Sequence, residues 1–215
     1  MKIVAIANTK GGVGKSTIAC NFAVEAASAK KKVLLVDSDV QGSSIGFRAM
    51  REKDDINAMS IITPTLHKDL TAMKDSFDVI FIDAGGRDGQ VFRSALMASD
   101  LVVIPLLPSQ YDIWAARDSL EILKEARVYK TLTAVFLFNQ IIMNTNIAKE
   151  AAEALEEITI ENDIKLLKST FYSRVAYKQS IGKGQGVSEY EPNGKAAHEV
   201  RQAYKEIMEV LKNAK

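Results

Sequence analysis

Nine residues near the start of the chain, Thr9-Lys10-Gly11-Gly12-Val13-Gly14-Lys15-Ser16-Thr17, combine the residue types needed to hold a phosphate. Gly11, Gly12 and Gly14 let the backbone curl until successive N–H groups converge on an anion, and a helix starting there adds the positive end of its dipole. Lys15 supplies a cation for the outer oxygens of a bound nucleotide, and Ser16 places a hydroxyl where a phosphate-bound Mg2+ takes an inner ligand. Residues Gly11, Gly12, Val13, Gly14, Lys15, Ser16 and Thr17 are therefore expected to cradle a nucleotide. Glycine is about 7% of average composition, so chance assembly of such a run is on the order of one in ten thousand or rarer.

Carboxylates follow at two strand ends. Val33-Leu34-Leu35-Val36 runs into Asp37-Ser38-Asp39-Val40-Gln41-Gly42, and carboxylates two residues apart at a strand end point the same way, toward a metal and a terminal phosphate. The same pair would equally cap a following helix. Val79-Ile80-Phe81-Ile82-Asp83 is an apolar strand ending in an acid, with Asp83 placed to bind Mg2+ through water. The segment after it, Ala84-Gly85-Gly86-Arg87-Asp88-Gly89, rearranges freely about its glycines, as a switch or as a plain flexible turn.

These residues need a frame, and the apolar pattern supplies one. Runs of strand length alternate with longer segments of helical period, as in βαβ units around a parallel sheet. Strands are expected at Lys2 to Ala7, Val33 to Val36, Ile56 to Ile62, Asp78 to Ile82, Leu101 to Leu106, Ala134 to Phe138 and Lys165 to Leu167. Helices are expected at Gly14 to Ala29, Pro64 to Asp75, Gln90 to Ala98, Ile113 to Val128, Ile147 to Glu157, Arg174 to Ile181 and Lys195 to Asn213. The expected fold is α/β, a P-loop NTPase with an open, mostly parallel twisted sheet and helices on both faces. No repeat or Pro/Gly-rich linker interrupts the alternation, so residues 1–215 read as a single domain. Turn-rich stretches at Ser38 to Ser44, Ala84 to Gly89, Pro108 to Asp112 and Asn139 to Asn146 follow strand ends, the edge where open α/β sheets bind ligands.

Composition narrows the classes further. The 215 residues are 47% hydrophobic and 26% charged, enough to bury a core without disulfides or structural metals. Lys and Arg number 28 against 27 Asp and Glu, a net charge of +1, so any nucleic-acid site has to be a local patch. Cys20 alone makes neither an internal disulfide nor a CxxC pair, which fits a reducing compartment and a cytoplasmic protein. It reads as a packing residue, and His67 and His198, without ligand spacing, read as structural or solvated. No run approaches the ~18 apolar residues of a spanning helix, and the apolar part of MKIVAIANTKGG is too short for a signal segment.

The form K-G-G-x-G-K-[S/T] resembles the deviant Walker A box of the ParA/MinD family of P-loop ATPases, and the likeness extends over nearly the whole chain. It implies ATP and Mg2+ as cofactors, slow partner-stimulated hydrolysis, and an ATP-sandwich homodimer in which Lys10 reaches the partner's phosphates. Taken alone, Lys10 is also readable as an exposed loop lysine. Asp37-Ser38-Asp39-Val40-Gln41 resembles the family's D-x-D-P-Q switch I, which implies that Asp37 holds the Mg2+ hydration shell and Asp39 orients or deprotonates the attacking water. Val40 stands where the family has proline, which loosens the hold on Asp39. The same resemblance assigns Gly85 and Gly86 to switch II, Asp83 to the metal, and Asn139 to adenine, where a turn-forming asparagine would serve as well.

The C-terminal third suggests what such a switch acts on. From Arg174 onward eight bases meet five acids, whereas Glu150 to Asp163 carries six acids and no base. Tyr172-Ser173-Arg174-Val175-Ala176-Tyr177 and Tyr190-Glu191-Pro192-Asn193-Gly194-Lys195 resemble motifs of ParA-type partition ATPases. That implies a sequence-independent DNA surface of Arg174 and Lys195, joined by Arg201 and Lys205, although a solvated basic face would look the same. The implied role is DNA partition by a cytoplasmic, nucleoid-associated protein of the small ParA type, without the N-terminal helix-turn-helix extension of longer relatives. It would dimerise on MgATP, coat DNA, and release it when a ParB-like centromere-binding protein stimulates hydrolysis. The alternatives are a MinD-like membrane-surface regulator and an ATPase that positions a protein cargo. The membrane reading needs a free terminal amphipathic helix, whereas Val200, Ala203, Tyr204, Ile207 and Leu211 form a stripe expected to dock on the sheet.

Overall fold

Strands buried on both faces read as unbroken apolar runs, because alternate residues feed opposite layers. The computed structural model describes residues 1–73, 75–86, 89–143 and 145–213, the side chains of 147 and 148 excepted. Arg87 and Asp88 of the expected switch, Asn144 of the last turn-rich stretch, and Ala214 and Lys215 lie outside the described residues. The strands are β1 (Lys2–Ala7), β2 (Val33–Asp37), β3 (Ile56–Ser60), β4 (Val79–Ala84), β5 (Leu101–Leu106), β6 (Thr133–Phe138) and the short β7 (Lys165–Leu166). They pair in parallel in the order β3-β2-β4-β1-β5-β6-β7. From central β1 the chain fills one half of the sheet and, after β4, crosses to the other. The loop after β1 therefore stands where the strand order reverses, the ligand-binding crevice of doubly wound sheets.

The helices are α1 (Lys15–Ser28), α2 (Ser43–Met50), α3 (Leu66–Thr71), α4 (Gly89–Ala98), α5 (Gln110–Arg127), α6 (Ile147–Asn162), α7 (Val175–Ile181), α8 (Val187–Tyr190) and α9 (Lys195–Asn213). Ile3, Ala5 and Ala7 of β1 join the layer formed by α3 to α6 through Leu66, Phe92, Leu120 and Leu155. Val4 and Ile6 join the other layer, with Phe22 of α1, Phe47 of α2 and Val200 of α9. Phe22 is the hub of that side, its ring 6.2 Å from Phe81 and Tyr204 and 6.3 Å from Phe171. Truncating such a ring to alanine costs about 3–5 kcal/mol. The expected stripe on α9 is docked: Val200, Ala203, Ile207 and Leu211 are buried in this layer and Tyr204 packs against it.

Several elements differ from the sequence reading: α3 covers only Leu66–Thr71 of the expected Pro64 to Asp75, of which Lys74 lies outside the described residues, β3 ends at Ser60 rather than Ile62, and others differ for a local reason. Helix α2 stands where no helix was placed, only Ser43 and Ser44 falling in the expected turn, and its first amides are capped by Asp37 from the preceding strand end rather than by a neighbouring side chain. Helix α5 starts at Gln110 instead of Ile113, since the hydroxyl of Ser109 accepts the amide of Asp112 and caps the first turn. Helix α6 runs on to Asn162 and closes on Asp163 in the left-handed region, φ 47°. Strand β4 continues through Asp83 to Ala84, so the acid is held in the sheet. The short α8 was not anticipated; its first amide is accepted by Asn21 of α1.

Candidate functional site

The turn-rich loops gather at the C-terminal edge of the sheet, around a cleft of about 460 Å³ lined by the loop after β1, Asp39, Gln41, Ser43, Gly86 and Gln140. Its floor is the turn from Asn8 to Gly14, where Gly12 and Gly14 take φ 79° and 91°, conformations only glycine adopts freely. A Cβ on Gly11 or Gly12 would meet nothing within 4 Å, so the loop encloses open space rather than packed protein. This is the cradle a phosphate chain would fill, at the N-terminus of α1.

The loop is braced from the half of the sheet that holds β5 and β6. Asn139 donates from Nδ2 to the carbonyl of Val13 at 2.8 Å, and Gln140 from Nε2 to that of Gly12 at 3.2 Å. The residue expected to meet adenine therefore bonds the loop backbone here. The Thr9 amide donates to Oγ of Ser119 on α5 at 3.0 Å, and within the loop the Lys10 amide donates to Oδ1 of Asn8 at 2.9 Å. The two lysines part company: Lys15 turns inward, donating from Nζ to the carbonyl of Lys10 at 3.0 Å, while Lys10 turns outward to Oδ1 of Asp112 at 2.6 Å. Burial lowers the pKa of Lys15, and the charges of Asp83 and Asp39 work against that.

Parallel register sets Asp37 on β2 beside Asp83 on β4. Asp37 is fully buried, and its oxygens are spent on backbone: Oδ2 accepts the amides of Ser44 at 2.8 Å and Ile45 at 3.0 Å, and Oδ1 that of Asp39 at 3.1 Å. Of the two readings open for this acid, the structure displays the helix cap. Asp39 is partly exposed at the cleft, its Oδ1 accepting the amide of Gln41 at 3.0 Å. Asp83 receives a hydrogen bond from the hydroxyl of Ser44 at 2.7 Å, and the Ser16 hydroxyl also favours its charged form. Burial raises its pKa to about 6, aided by the charge of Asp37, while those hydroxyls and Lys15 pull the other way. A buried carboxylate short of positive charge, with a serine hydroxyl beside it, is an all-oxygen donor set that fits a hard cation such as Mg2+. No cluster of three or more His, Cys, Asp or Glu that could hold a metal occurs among the described residues.

Gly85 and Gly86 lie between the other loops. A Cβ on Gly85 would fall 2.9 Å from Cα of Asp39, and one on Gly86 2.5 Å from the carbonyl oxygen of Thr9. The segment expected to be switch II thus touches both the phosphate loop and the Asp39 loop, and only glycine permits that approach.

The four expected DNA-binding residues are divided by their surroundings. Arg174 pairs with Glu199 at 2.6 Å and stacks over the Tyr172 ring. Arg201 donates to the carbonyls of Pro192 at 2.7 Å and Ser188 at 3.4 Å. Lys195 and Lys205 are exposed on α9. Sequence reasoning missed Ser44, Ser119 and Asp112. Ser109-x-x-Asp112 ahead of an apolar periodic run is a legible capping signal, but nothing local marks Ser44 or Ser119.

A family model described as the CobQ/CobB/MinD/ParA nucleotide binding domain matches residues 4–187. A curated relative, the maintenance of carboxysome distribution protein A of Halothiobacillus neapolitanus, is 26% identical over 212 residues, covering 95% of both chains. The sporulation initiation inhibitor protein Soj of Bacillus subtilis is 26% identical over 250 residues, covering 96% of this chain and 98% of its own. Among solved structures, the septum site-determining protein MinD of Pyrococcus horikoshii, complexed with Mg-ADP, superposes with a TM-score of 0.78 at 16% identity, covering 96% and 95% of the two chains.

Proposed function

This chain belongs to the CobQ/CobB/MinD/ParA nucleotide-binding family, and from that premise we propose that it is a ParA-type DNA partition ATPase. It forms a homodimer around MgATP, holds DNA without regard to sequence while the nucleotide lasts, and releases it when a ParB-like centromere-binding protein stimulates hydrolysis. The observation that carries the reading is the divergence of two lysines on one glycine loop, Lys15 facing its own cleft and Lys10 facing away from it. Within its own subunit Lys10 meets Asp112 and not the cleft, and the dimer reading gives that outward cation a phosphate to meet.

In this reading the loop amides from Gly11 to Thr17 and the Lys15 ammonium hold the phosphates, and Lys10 reaches those of the second subunit. Ser16 and Asp83 hold Mg2+, which when bound neutralises charge on the phosphate oxygens. Asp39 orients the attacking water and takes its proton. Asp37 serves the metal side indirectly, by fixing the first turn of α2. Gly85 and Gly86, in contact with both neighbouring loops, carry the change on hydrolysis to the surface.

The relative from Halothiobacillus, named for carboxysome distribution, supports a second reading in which the cargo is a protein assembly; every site residue is shared and only the partner differs. A membrane-surface role has less support, because the apolar stripe of α9 is spent on the sheet. No helix among the described residues is long and apolar enough to cross a membrane.

The test is light scattering and DNA co-sedimentation with and without MgATP. Wild type should dimerise and bind unrelated DNA fragments alike only with ATP. Lys10→Ala should keep its affinity for a fluorescent ATP analogue and lose both other properties. A Lys10→Ala protein that dimerises and binds DNA as wild type does would end the proposal.

A further inference from the structure

We infer that Ser44 is a positioning residue for the metal side of the site, acting through the carboxylate of Asp83. The inference rests on the MgATP reading and adds a residue to it.

Ser44 sits in the first turn of α2 and is fully buried. Its amide is held by Oδ2 of Asp37 at 2.8 Å, which fixes the backbone, and its hydroxyl donates to Oδ2 of Asp83 at 2.7 Å, which spends its one hydrogen. The thiol of Cys20 on α1 lies 3.6 Å from the same hydroxyl oxygen. With the serine hydrogen committed to Asp83, the thiol is the donor of that pair, and burial, which pushes the Cys20 pKa up, keeps its hydrogen in place. A directed chain therefore runs from Cys20 to Ser44 to Asp83, crossing from α1 through α2 to β4. Its last link determines which oxygen of Asp83 is bound from behind and how the carboxylate is turned.

This arrangement also accounts for Asp37. The acid at the end of β2 spends its oxygens on amides, so its effect on the metal passes through the placement of Ser44. A hydrogen-bond partner of a metal-binding carboxylate typically changes metal affinity by about 10–100-fold when removed. Alanine at position 44 keeps the amide that Asp37 holds and deletes only the hydroxyl.

The experiment titrates Mg2+ into wild type and Ser44→Ala, each loaded with a fluorescent ATP analogue, and reads the Mg2+ midpoint beside the analogue's affinity in excess EDTA. Ser44→Ala should raise the midpoint about 10-fold and leave the EDTA affinity unchanged. Ser44→Thr in a Cys20→Ala background, which makes room for the added methyl, should restore the wild-type midpoint. Ser44→Cys, close in shape but a much weaker donor to Asp83, should also raise the midpoint and carries the test should Ser44→Ala fail to fold. An unchanged midpoint in Ser44→Ala, or an EDTA affinity that falls as far as the Mg2+-bound one, overturns the inference while leaving the MgATP reading intact. Wild type that binds the analogue with no response to Mg2+ overturns both.

Discussion

The ammonium of Lys10 lies 2.6 Å from Oδ1 of Asp112, turning the outer lysine of the phosphate loop onto a buried acid of its own subunit. To reach a second subunit's phosphates Lys10 must leave that acid, whose side chain is only 6% exposed. Separating an ion pair with a buried member leaves an uncompensated charge, so in the proposed dimer this contact opposes assembly. Asp112→Asn should therefore lower the ATP concentration for half-maximal dimerisation by roughly 10-fold, about 1.4 kcal/mol. Light scattering gives the midpoint. Trp114, the only tryptophan of the chain, half-exposed and two residues further along α5, offers a second readout by fluorescence. A higher ATP requirement in Asp112→Asn would mean that the acid aids assembly.

Gly14 combines φ 91° with a Cβ direction that ends 2.2 Å from Nδ2 of Asn139. Gly14→Ala should cost about 1–3 kcal/mol from backbone strain alone, and relief of the clash requires Asn139 to release the carbonyl of Val13. Nucleotide affinity, read by calorimetry, should fall at least ~10-fold. Gly11→Ala, whose Cβ meets nothing within 4 Å, should leave the melting temperature of the nucleotide-free protein unchanged.

The parts legible in the sequence are those whose cause is local. The loop from Thr9 to Thr17 carries its own chemistry, and β1, β2 and β5 announce themselves because strands covered on both faces are apolar without interruption. Helix α9 is legible from its stripe, which the sheet covers as expected. The parts that stayed hidden depend on partners distant in sequence. Helix α2 is short and carries Gly46, and it forms because Asp37 lies under its first amides. A pair of aspartates at a strand end does not reveal in sequence which faces a metal and which a helix. The ion pair of Lys10 and Asp112 and the bond from Ser44 to Asp83 exist only once β1 is set beside β5 and β2 beside β4.

Arg51 at the end of α2, its side chain 2% exposed, is bound by Glu189 of α8 at 2.8 Å and by Asp55 at 2.7 Å. Burial alone would raise the pKa of Glu189, but hydrogen bonds from Arg51, Lys53 and the Gly186 amide bring it down to about 2 from the ordinary 4.5. A carboxyl whose folded pKa is depressed contributes stability that is full above its unfolded value and is lost as pH falls toward the folded one. Thermal melts should therefore show a component lost between about pH 4.5 and pH 2, worth about 1–2 kcal/mol once solvent screening is allowed for. Glu189→Gln should lose stability at neutral pH and show a flatter acid limb. An unchanged acid limb would show that the group does not govern this range.

The expected basic surface divides into residues that hold the fold and residues free to hold a polyanion, and the two kinds predict different measurements. Glu199 accepts from Arg174, the Tyr172 amide and the Tyr177 hydroxyl, and its side chain is 10% exposed. Arg174→Ala leaves that carboxylate short of its only cationic partner among the described residues and should destabilise the protein by about 1–3 kcal/mol. Lys195 and Lys205 are exposed on α9, so Lys195→Ala and Lys205→Ala should melt as wild type does. Each contact to a DNA phosphate contributes about 0.9 to the slope of log affinity against log salt, so each of these two variants, which lacks the lysine in both subunits of the proposed ATP-bound dimer, should flatten that slope by about 0.9 for each subunit that meets the DNA. Arg174→Ala, compared at a temperature where it is fully folded, should keep the wild-type slope. The reverse pattern, a flattened slope with unchanged melting in Arg174→Ala, would place Arg174 on the DNA and its ion pair with Glu199 among the contacts broken on binding.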